Sequence, residues 1–311
     1  MWVPLLDGVE RLGVVRFSAA PRLAPPVRRL ADLADLAGLA AELLLTKQQY
    51  GDGLRVVHRR EPMQLPAELQ WQLLPPLTFG SDRLVISGVL EPSYEIGGDI
   101  FDYAVNGDVA HVAVFDAMGH GLEASLLSTV AIGAYRNARR TGLDLLDVHR
   151  AIDNAIGLQF GPDRFVTGVL ADLDVVTGAV TLIAAGHAGP LLLRGGKVVK
   201  HLAPPPALPL GLGDRAVETA EEHLQPGDRL LLYTDGVVEA RDEHGEFFGV
   251  ERLVDLLVRE SASGHPVPEI LRRLSRALLA HQHGRLQDDA TTLLVEWRVP
   301  DPAGGAEPVV P

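Results

Sequence analysis

Paired apolar runs separated by short turns constrain the fold of this 311-residue chain most strongly. From about Leu77 onward, runs of strand length alternate with helical patterns. "RFVTGVLADLDVVTGAVTLIAAG" predicts two strands around Thr177-Gly178, and "PLLLRGGKVVKHL" predicts a hairpin with Gly195-Gly196 at its tip. Amphipathic helices are inserted in pairs between the strands. This order predicts an α+β fold in which sheets pack on each other and helices lie outside.

The composition indicates a folded chain that contains no disulfide. Hydrophobic residues make up 47%, enough for a sizeable core, yet the longest apolar runs are too short to span a membrane. The first fifteen residues contain acidic residues and glycine where a signal peptide would need an apolar stretch. Zero cysteine excludes disulfides, Cys-ligated zinc and thiol nucleophiles. The net charge of −13, without a dense Lys/Arg cluster, argues against nucleic acid. We therefore expect a cytoplasmic protein that binds neither nucleic acid nor membrane.

The first 76 residues predict an N-terminal arm, because they are too few for a full core of their own. "VPLLDGVERLGVVRF" predicts a hairpin, and helices are predicted at 28–49 and 64–74. The first helix is predicted to present one apolar face made of Leu33, Leu36, Ala37, Ala40, Leu43 and Leu44. The predicted divisions are a regulatory segment at 1–50, a linker with its helix at 51–76, the main domain at 77–299 and a disordered tail at 300–311.

Four acidic motifs share one position in the predicted sheets, the end of a strand. They contribute Asp99 and Asp102 ("EIGGDIFD"), Asp116 ("AVFDAMGHG"), Asp235 ("LLYTDG"), and Asp288 and Asp289 ("QDDATTLLV"). If the strands are neighbours, the carboxylates converge, and their repulsion raises their pKa values or recruits cations. Oxygen donors favour Mg²⁺ or Mn²⁺ over zinc or copper. Two such ions ~3.5–4 Å apart can activate a water and clamp a phosphoryl group.

Each motif also has an ordinary explanation when it is taken singly. "TDG" is a common turn, paired glycines before an acid are common in loops, and Asp116 could be a neighbour of a helix N-terminus. His120 and His187 are by default hydrogen-bonded loop residues, and Arg164 is by default exposed, although it could meet a phosphate. No Walker loop, no Gly-x-Gly-x-x-Gly and no nucleophile elbow is present. The occurrence of all four motifs at strand ends favours the metal cluster.

These motifs resemble those of a known family. "EIGGDIFDY", "AVFDAMGHGLEASLL", "RFVTGVLADLD", "AAGHAGPLLL", "LQPGDRLLLYTDGVVEA" and "DDATTLLVE" follow the order found in PPM-type (protein phosphatase 2C-like) bacterial serine phosphatases. The branch is that of the sporulation stage II E protein and the sigma-B regulators, and the resemblance runs from about Leu77 to Val299. "PAELQWQLLPP" is similar to the linker helix that commonly precedes this domain, and the N-terminal segment is similar to the final part of a GAF domain.

The resemblance implies an α-β-β-α sandwich of two antiparallel sheets with two Mn²⁺ or Mg²⁺ ions, or three, at one end. Asp116 would bridge both ions together with the Ala117 carbonyl, Asp99 would bind the second ion directly or through water, and Asp235 and Asp288 would hold the first. Asp289 would lie beside the site, with a role that the sequence does not separate from that of Asp288. Further candidates around the ligands are Asp102, Gly119, His120, Thr234 and Gly236.

Two departures from the eukaryotic relatives of the family matter. Those relatives have Asp-Gly-His at the bridging position, and the histidine is a candidate general acid. Here "DAMGHG" places Met118 third and displaces His120. The general-acid role is therefore not assigned to His120. They also carry a phosphate-binding arginine near the first motif, and no equivalent stands between Tyr94 and Asp99. The metals would then position phosphate largely alone.

The implied function is a metal-dependent protein serine/threonine phosphatase that acts by direct attack of a metal-activated water. Its implied substrate is an anti-sigma-factor antagonist of the STAS fold. One alternative is a catalytically silent phosphatase-like scaffold that binds a regulatory protein, and another is a two-metal phosphohydrolase acting on small molecules. The N-terminal and linker helices are candidates for forming a homodimer and for switching activity by moving an element next to the metals.

Overall fold

The computed structural model describes residues 1–18, 27–47, 50–53, 64–91, 97–213, 216–283 and 286–300, and within 27–30 it describes the backbone only. The strands are β1 (Trp2–Asp7), β2 (Glu10–Arg16), β3 (Thr78–Gly80), β4 (Leu84–Glu91), β5 (Asp99–Asn106), β6 (Val109–Ala117), β7 (Val166–Asp174), β8 (Ala179–Ala185), β9 (Leu191–Arg194), β10 (Lys197–His201), β11 (Ala220–His223), β12 (Arg229–Tyr233) and β13 (Ala290–Trp297). The helices are α1 (Val27–Lys47), α2 (Leu65–Leu73), α3 (Leu122–Arg140), α4 (Leu145–Phe160), α5 (Asp235–Val238), α6 (Gly249–Ala262) and α7 (Val267–His281).

Eleven of these strands form two antiparallel sheets. One sheet has six strands in the order β10-β9-β12-β13-β4-β3, and the other has five in the order β11-β8-β7-β6-β5. Every neighbouring pair is antiparallel. The predicted hairpins around Thr177-Gly178 and Gly195-Gly196 are confirmed as β7–β8 and β9–β10.

The two sheets and two helix pairs make four layers. Side chains such as Ile86, Phe101 and Leu293 fill the space between the sheets. Helices α3 and α4 cover the outer face of the five-stranded sheet, and α6 and α7 cover that of the six-stranded sheet. Central strands are therefore covered on both faces, which explains why all residues of β13 are buried, including the polar Thr291, Thr292 and Glu296. The predicted α-β-β-α sandwich is confirmed.

The N-terminal arm consists of the β1–β2 hairpin with α1 packed on it. Ala37 and Ala41 of α1 contact Leu5 and Leu12 of the hairpin. The predicted helix is present, but its predicted apolar face is partly wrong, because Leu36 and Leu43 are 52% and 60% exposed. The small Ala37 and Ala41 allow close approach to the hairpin, and Leu44 and Leu45 complete that contact. A GAF-like origin of this arm is not confirmed.

The turn of the N-terminal hairpin lies against the edge strand β3. The backbone N–H of Val9 donates to Thr78 Oγ1 at 3.3 Å, and the Val9 side chain is buried with the core that underlies α6 and α7. A Cβ on Gly8, whose φ is +53°, would lie 2.0 Å from Thr78 Oγ1. Only glycine therefore allows this approach.

The division of the chain into four parts stays a prediction, and the tail predicted at 300–311 lies outside the described residues from 301 onward. Among the helices that the structure describes, none combines the length and the apolarity needed to cross a bilayer.

Candidate metal centre

The two sheets meet at one end of the sandwich through the strands that carry the acidic motifs. Asp99 and Asp116 are register partners in the β5–β6 pair. Asp235 is the first residue of α5 and is separated from β12 by Thr234 alone, and Asp289 directly precedes β13. Thr234 joins the two sheets here, because its hydroxyl donates to Asp99 Oδ2 at 2.6 Å and accepts from the Thr291 N–H at 3.0 Å.

The electrostatics show that five predicted carboxylates come together. Burial raises the pKa of Asp99 well above its ordinary value, and the charges of Asp116 and Asp289 add to this. Burial, followed by the charges of Asp235, Asp288 and Asp289, raises the pKa of Asp116 to about 7. Burial also raises the pKa of Asp288, with a further contribution from Asp235. Crowded carboxylates of this kind lose their repulsion when a cation binds between them.

The donor set fits hard divalent cations. Five carboxylates supply oxygen only, and the raised pKa values indicate negative charge that the folded chain leaves poorly compensated. Within the part of the chain that the structure describes, no three carboxylate or imidazole groups already stand as a closed coordination shell. The assignment of individual ligands stays a prediction.

The loop before β5 lies tightly against the end of β6. The Ala117 N–H donates to the Gly98 carbonyl at 3.2 Å, and a Cβ on Gly98 would lie 3.0 Å from the Ala117 carbonyl oxygen. Two serines of α3 hold the same loop, since the hydroxyl of Ser125 donates to the Gly97 carbonyl and that of Ser128 to the Gly98 carbonyl. The paired glycines thus bring Asp99 against Asp116.

Glycines also shape the segments that carry the other carboxylates. Gly119 and Gly121 have φ values of +90° and +75°, which allow the chain to turn between Asp116 and α3. Gly236 in α5 lies under the Asp289 backbone, where a Cβ would be 1.9 Å from the Asp289 carbonyl oxygen.

The two candidate histidines lie beside the carboxylates. The His120 imidazole is near enough to Asp288 to oppose the rise in the pKa of that carboxyl. Burial lowers the pKa of His187, which lies near Asp235, and its Nδ1 is 3.0 Å from the Ala188 carbonyl oxygen. Arg164 forms an exposed ion pair with Glu123 in the first turn of α3, at 2.5 Å between Nε and Oε1.

Asp102 does not join the cluster, contrary to its prediction as a neighbour of the ligands. Its carboxylate is 2% exposed and accepts from Arg136 Nη2 at 2.7 Å and from Arg139 Nη1 at 2.9 Å, both on α3. The reason is the alternation of a strand: residues three apart, such as Asp99 and Asp102, point to opposite faces of β5.

Gln70 on α2 belongs to the site, although the sequence did not single it out. Its Nε2 donates to Asp289 Oδ2 at 3.1 Å and to the Asp99 carbonyl at 2.5 Å. The sequence pattern that could have indicated it is its helical spacing from Pro66 and Ala67, the two other buried residues of α2. This spacing places a polar side chain on the buried face of the helix.

Solved structures and curated proteins place this architecture among PP2C-type phosphatase domains. The RsbU and RsbW domains of Rv1364c from Mycobacterium tuberculosis are 28% identical, with a TM-score of 0.63 over 71% of this chain and 61% of that one. The SiaA-PP2C domain of Pseudomonas aeruginosa shares the fold, with a TM-score of 0.60, 22% identity, and coverage of 88% of this chain and 98% of that one.

Two curated proteins match most of this chain. Protein IcfG of Synechocystis sp. is 27% identical over 76% of this chain and 39% of its own length. Phosphoserine phosphatase RsbU of Bacillus subtilis is 23% identical over 77% of this chain and 71% of its own length. The chain thus spans well under half of the IcfG protein. The sequence profile of the Stage II sporulation protein E (SpoIIE) family matches residues 106–298. The chain belongs to this family.

Proposed function

We propose that this chain is a Mn²⁺- or Mg²⁺-dependent protein phosphatase that hydrolyses phosphoserine or phosphothreonine on a protein. The observation that carries the proposal is the convergence of five carboxylates at one end of the sandwich, with the pKa of Asp116 raised to about 7. The names of RsbU and RsbP of Bacillus subtilis, both phosphoserine phosphatases, support the reaction.

The chain's own residues divide the work as follows. Asp116 and the Ala117 carbonyl would contribute to holding both ions, Asp235 and Asp288 would hold the first, and Asp99 the second. Two divalent ions bound there would activate a water for direct attack on phosphorus and neutralise the phosphate oxygens. Thr234 fixes the Asp99 carboxylate by its 2.6 Å hydrogen bond, so the ligand keeps one orientation.

The proposed substrate is a phosphorylated anti-sigma-factor antagonist of the STAS fold, encountered in the cytoplasm. Membership of the SpoIIE family and the similarity to RsbU support this substrate class. The exposed Leu36 and Leu43 of α1 support a homodimer formed through the N-terminal helices.

The test is hydrolysis of p-nitrophenyl phosphate and of a phosphoserine protein with Mn²⁺, with Mg²⁺ and with chelator. We expect metal-dependent turnover that Asp116→Ala abolishes, because this substitution removes the carboxylate that is proposed to hold both ions. Asp147→Ala is the control, since the Asp147 side chain on α4 is 48% exposed and pairs only with Arg150 among the ion pairs described.

The outcomes distinguish three candidate functions: a protein phosphatase, a small-molecule phosphohydrolase and a scaffold. Turnover that favours the phosphoprotein over small phosphate esters supports the proposal. Turnover confined to small esters would identify a small-molecule phosphohydrolase. Mn²⁺ binding without turnover on either substrate would identify a scaffold.

A further inference from the structure

Helix α2 contacts the carboxylate cluster directly through one side chain. Gln70 is 1% exposed, and its amide nitrogen bridges two strand ends, the Asp99 carbonyl on β5 and the Asp289 carboxylate before β13. These two strands belong to different sheets. A residue from outside both sheets therefore joins them where the carboxylates converge.

The Asp289 carboxylate is held from two sides. Its Oδ2 accepts from the Gly98 N–H at 3.0 Å as well as from Gln70 Nε2 at 3.1 Å. Both donors approach the same oxygen, so they fix the rotation of this carboxylate and tie it to the loop that carries Asp99. Hydrogen bonds of this kind orient carboxylates for metal ions.

Only the nitrogen of the Gln70 amide makes hydrogen bonds to described residues. Its Oε1 is buried and has no hydrogen-bond partner among the described residues. Burying an unpaired oxygen is costly, and an apolar side chain of the same size would avoid that cost. Packing alone therefore does not explain an amide here, whereas the two N–H bonds to the carboxylate site do.

A second contact holds the C-terminus of the helix. Arg136 Nη2 donates to the Leu73 carbonyl at 2.6 Å while the same guanidinium binds Asp102 of β5. Helix α2 is thus tied to β5 at both Asp99 and Asp102. Displacing the helix breaks contacts to the strand that carries a candidate ligand.

We infer that Gln70 is a positioning residue, which couples the seating of helix α2, meaning its packed position against β5 and Asp289, to the cation affinity of the carboxylate cluster. This inference rests on the proposed function for its effect on turnover, but the coupling itself is a property of the folded chain. Coupling is reciprocal: if a seated helix favours the cation, a bound cation must favour the seated helix.

The test compares two glutamines of the same helix in the full-length chain. Gln70→Met keeps the side-chain volume and removes the amide donor. Gln72→Met is the control, because Gln72 is exposed and its side-chain partner among the described residues lies in the same helix, Glu68 Oε1 at 3.1 Å. Mn²⁺ affinity is measured by calorimetry, and amide exchange of residues 65–73 and 97–99 is measured by mass spectrometry with and without Mn²⁺.

We expect Gln70→Met to weaken Mn²⁺ binding by about 10–100-fold, the usual effect of losing a partner that orients a ligand. Mn²⁺ should slow exchange at 65–73 in the wild type and in Gln72→Met, but not in Gln70→Met. Wild-type Mn²⁺ affinity and wild-type protection of the helix in Gln70→Met would overturn the inference.

The metal-free exchange measurement separates this inference from the proposed function. Gln70→Met should speed exchange at 65–73 and at 97–99 even with chelator, because the link between helix and loop is lost. A wild-type chain that binds no Mn²⁺ would refute the proposed function and the effect on cation affinity together. A wild-type chain that binds Mn²⁺ without turnover would refute the phosphatase alone and leave the coupling supported by the exchange data.

Discussion

Gly236 lies where the backbone of Asp289 crosses α5. A Cβ at this position would be 1.9 Å from the Asp289 carbonyl oxygen and 3.0 Å from its carbonyl carbon. Both atoms belong to the main chain, so they cannot rotate away as a flexible side chain could. The separation of the segments that carry Asp235 and Asp289 therefore depends on the absence of a side chain.

We predict that Gly236→Ala destabilises the protein by about 1–3 kcal/mol, the usual range for overpacking a closely packed site. Metal binding should weaken as well, because the segments carrying Asp235 and Asp289 are pushed apart. Urea denaturation and Mn²⁺ titration measure the two effects.

Gly133→Ala is the matched control for this substitution. Gly133 lies within α3, and a Cβ there would meet nothing within 4 Å. Alanine in an exposed helix position should be neutral or stabilise by about 0.5–1 kcal/mol. Equal stability and equal Mn²⁺ affinity of the two variants would contradict the close approach of the Asp289 backbone to Gly236.

At the scale of elements, the contact between β5 and α3 depends on a buried ion pair. Asp102 on β5 is bound by both Arg136 and Arg139, and the Arg139 guanidinium also lies 4.9 Å from the centre of the Tyr135 ring. The ion pair lies on the face of β5 opposite Asp99. It therefore ties β5 to α3 on one face, while the carboxylate cluster lies on the other.

We predict that Asp102→Ala destabilises the protein by about 3–5 kcal/mol, because removing one partner leaves a buried charge uncompensated. Arg150→Ala is the control, since the Arg150–Asp147 pair is exposed and such pairs contribute about 0–1 kcal/mol. Chemical denaturation of the two variants measures the difference. An Asp102→Ala loss as small as that of the control would argue against the buried ion pair.

At the scale of the whole molecule, the carboxylate cluster concentrates negative charge in a chain that already carries a net charge of −13. The pKa of Asp116 is raised from 3.8 to about 7 without a bound cation. Between these pH values the folded state holds more protons than the unfolded state. This carboxyl therefore makes the free energy of unfolding fall as the pH rises through that interval.

We predict that with chelator Asp116→Asn is more stable than the wild type at pH 8, and that this advantage shrinks as the pH falls and disappears only below about 3.8, the ordinary pKa of the carboxyl. The physical reason is that the wild-type carboxyl is protonated at low pH and charged among other carboxylates at high pH. With Mn²⁺ at pH 8 the order should reverse, since ligand binding stabilises only the variant that binds it.

Thermal melts of both proteins across this pH range, with chelator and with Mn²⁺, measure the effect. Asp116→Asn is nearly isosteric, so its packing differs little from that of the wild type. Parallel pH profiles of the two proteins with chelator would contradict the raised pKa of Asp116.

The amino-acid sequence by itself determined the layers of the fold and the convergence of the acidic motifs. Apolar runs separated by short glycine turns predicted antiparallel hairpins, and helix pairs inserted between them predicted the outer layers. Acidic residues at strand ends predicted one carboxylate cluster, because neighbouring strand ends meet at one end of a sheet. These features follow from local patterns, which is why the sequence could predict them.

Only the tertiary structure decided contacts between residues far apart in the chain. Asp102 belongs to the same acidic motif as Asp99, yet its carboxylate binds arginines of α3 that no local pattern links to it. Leu36 and Leu43 share a helical face with buried residues, but the hairpin contacts α1 through alanines. Gln70 reaches Asp289 across 219 positions of sequence. Such contacts depend on how whole elements pack, and periodicity within one element carries no information about its partner.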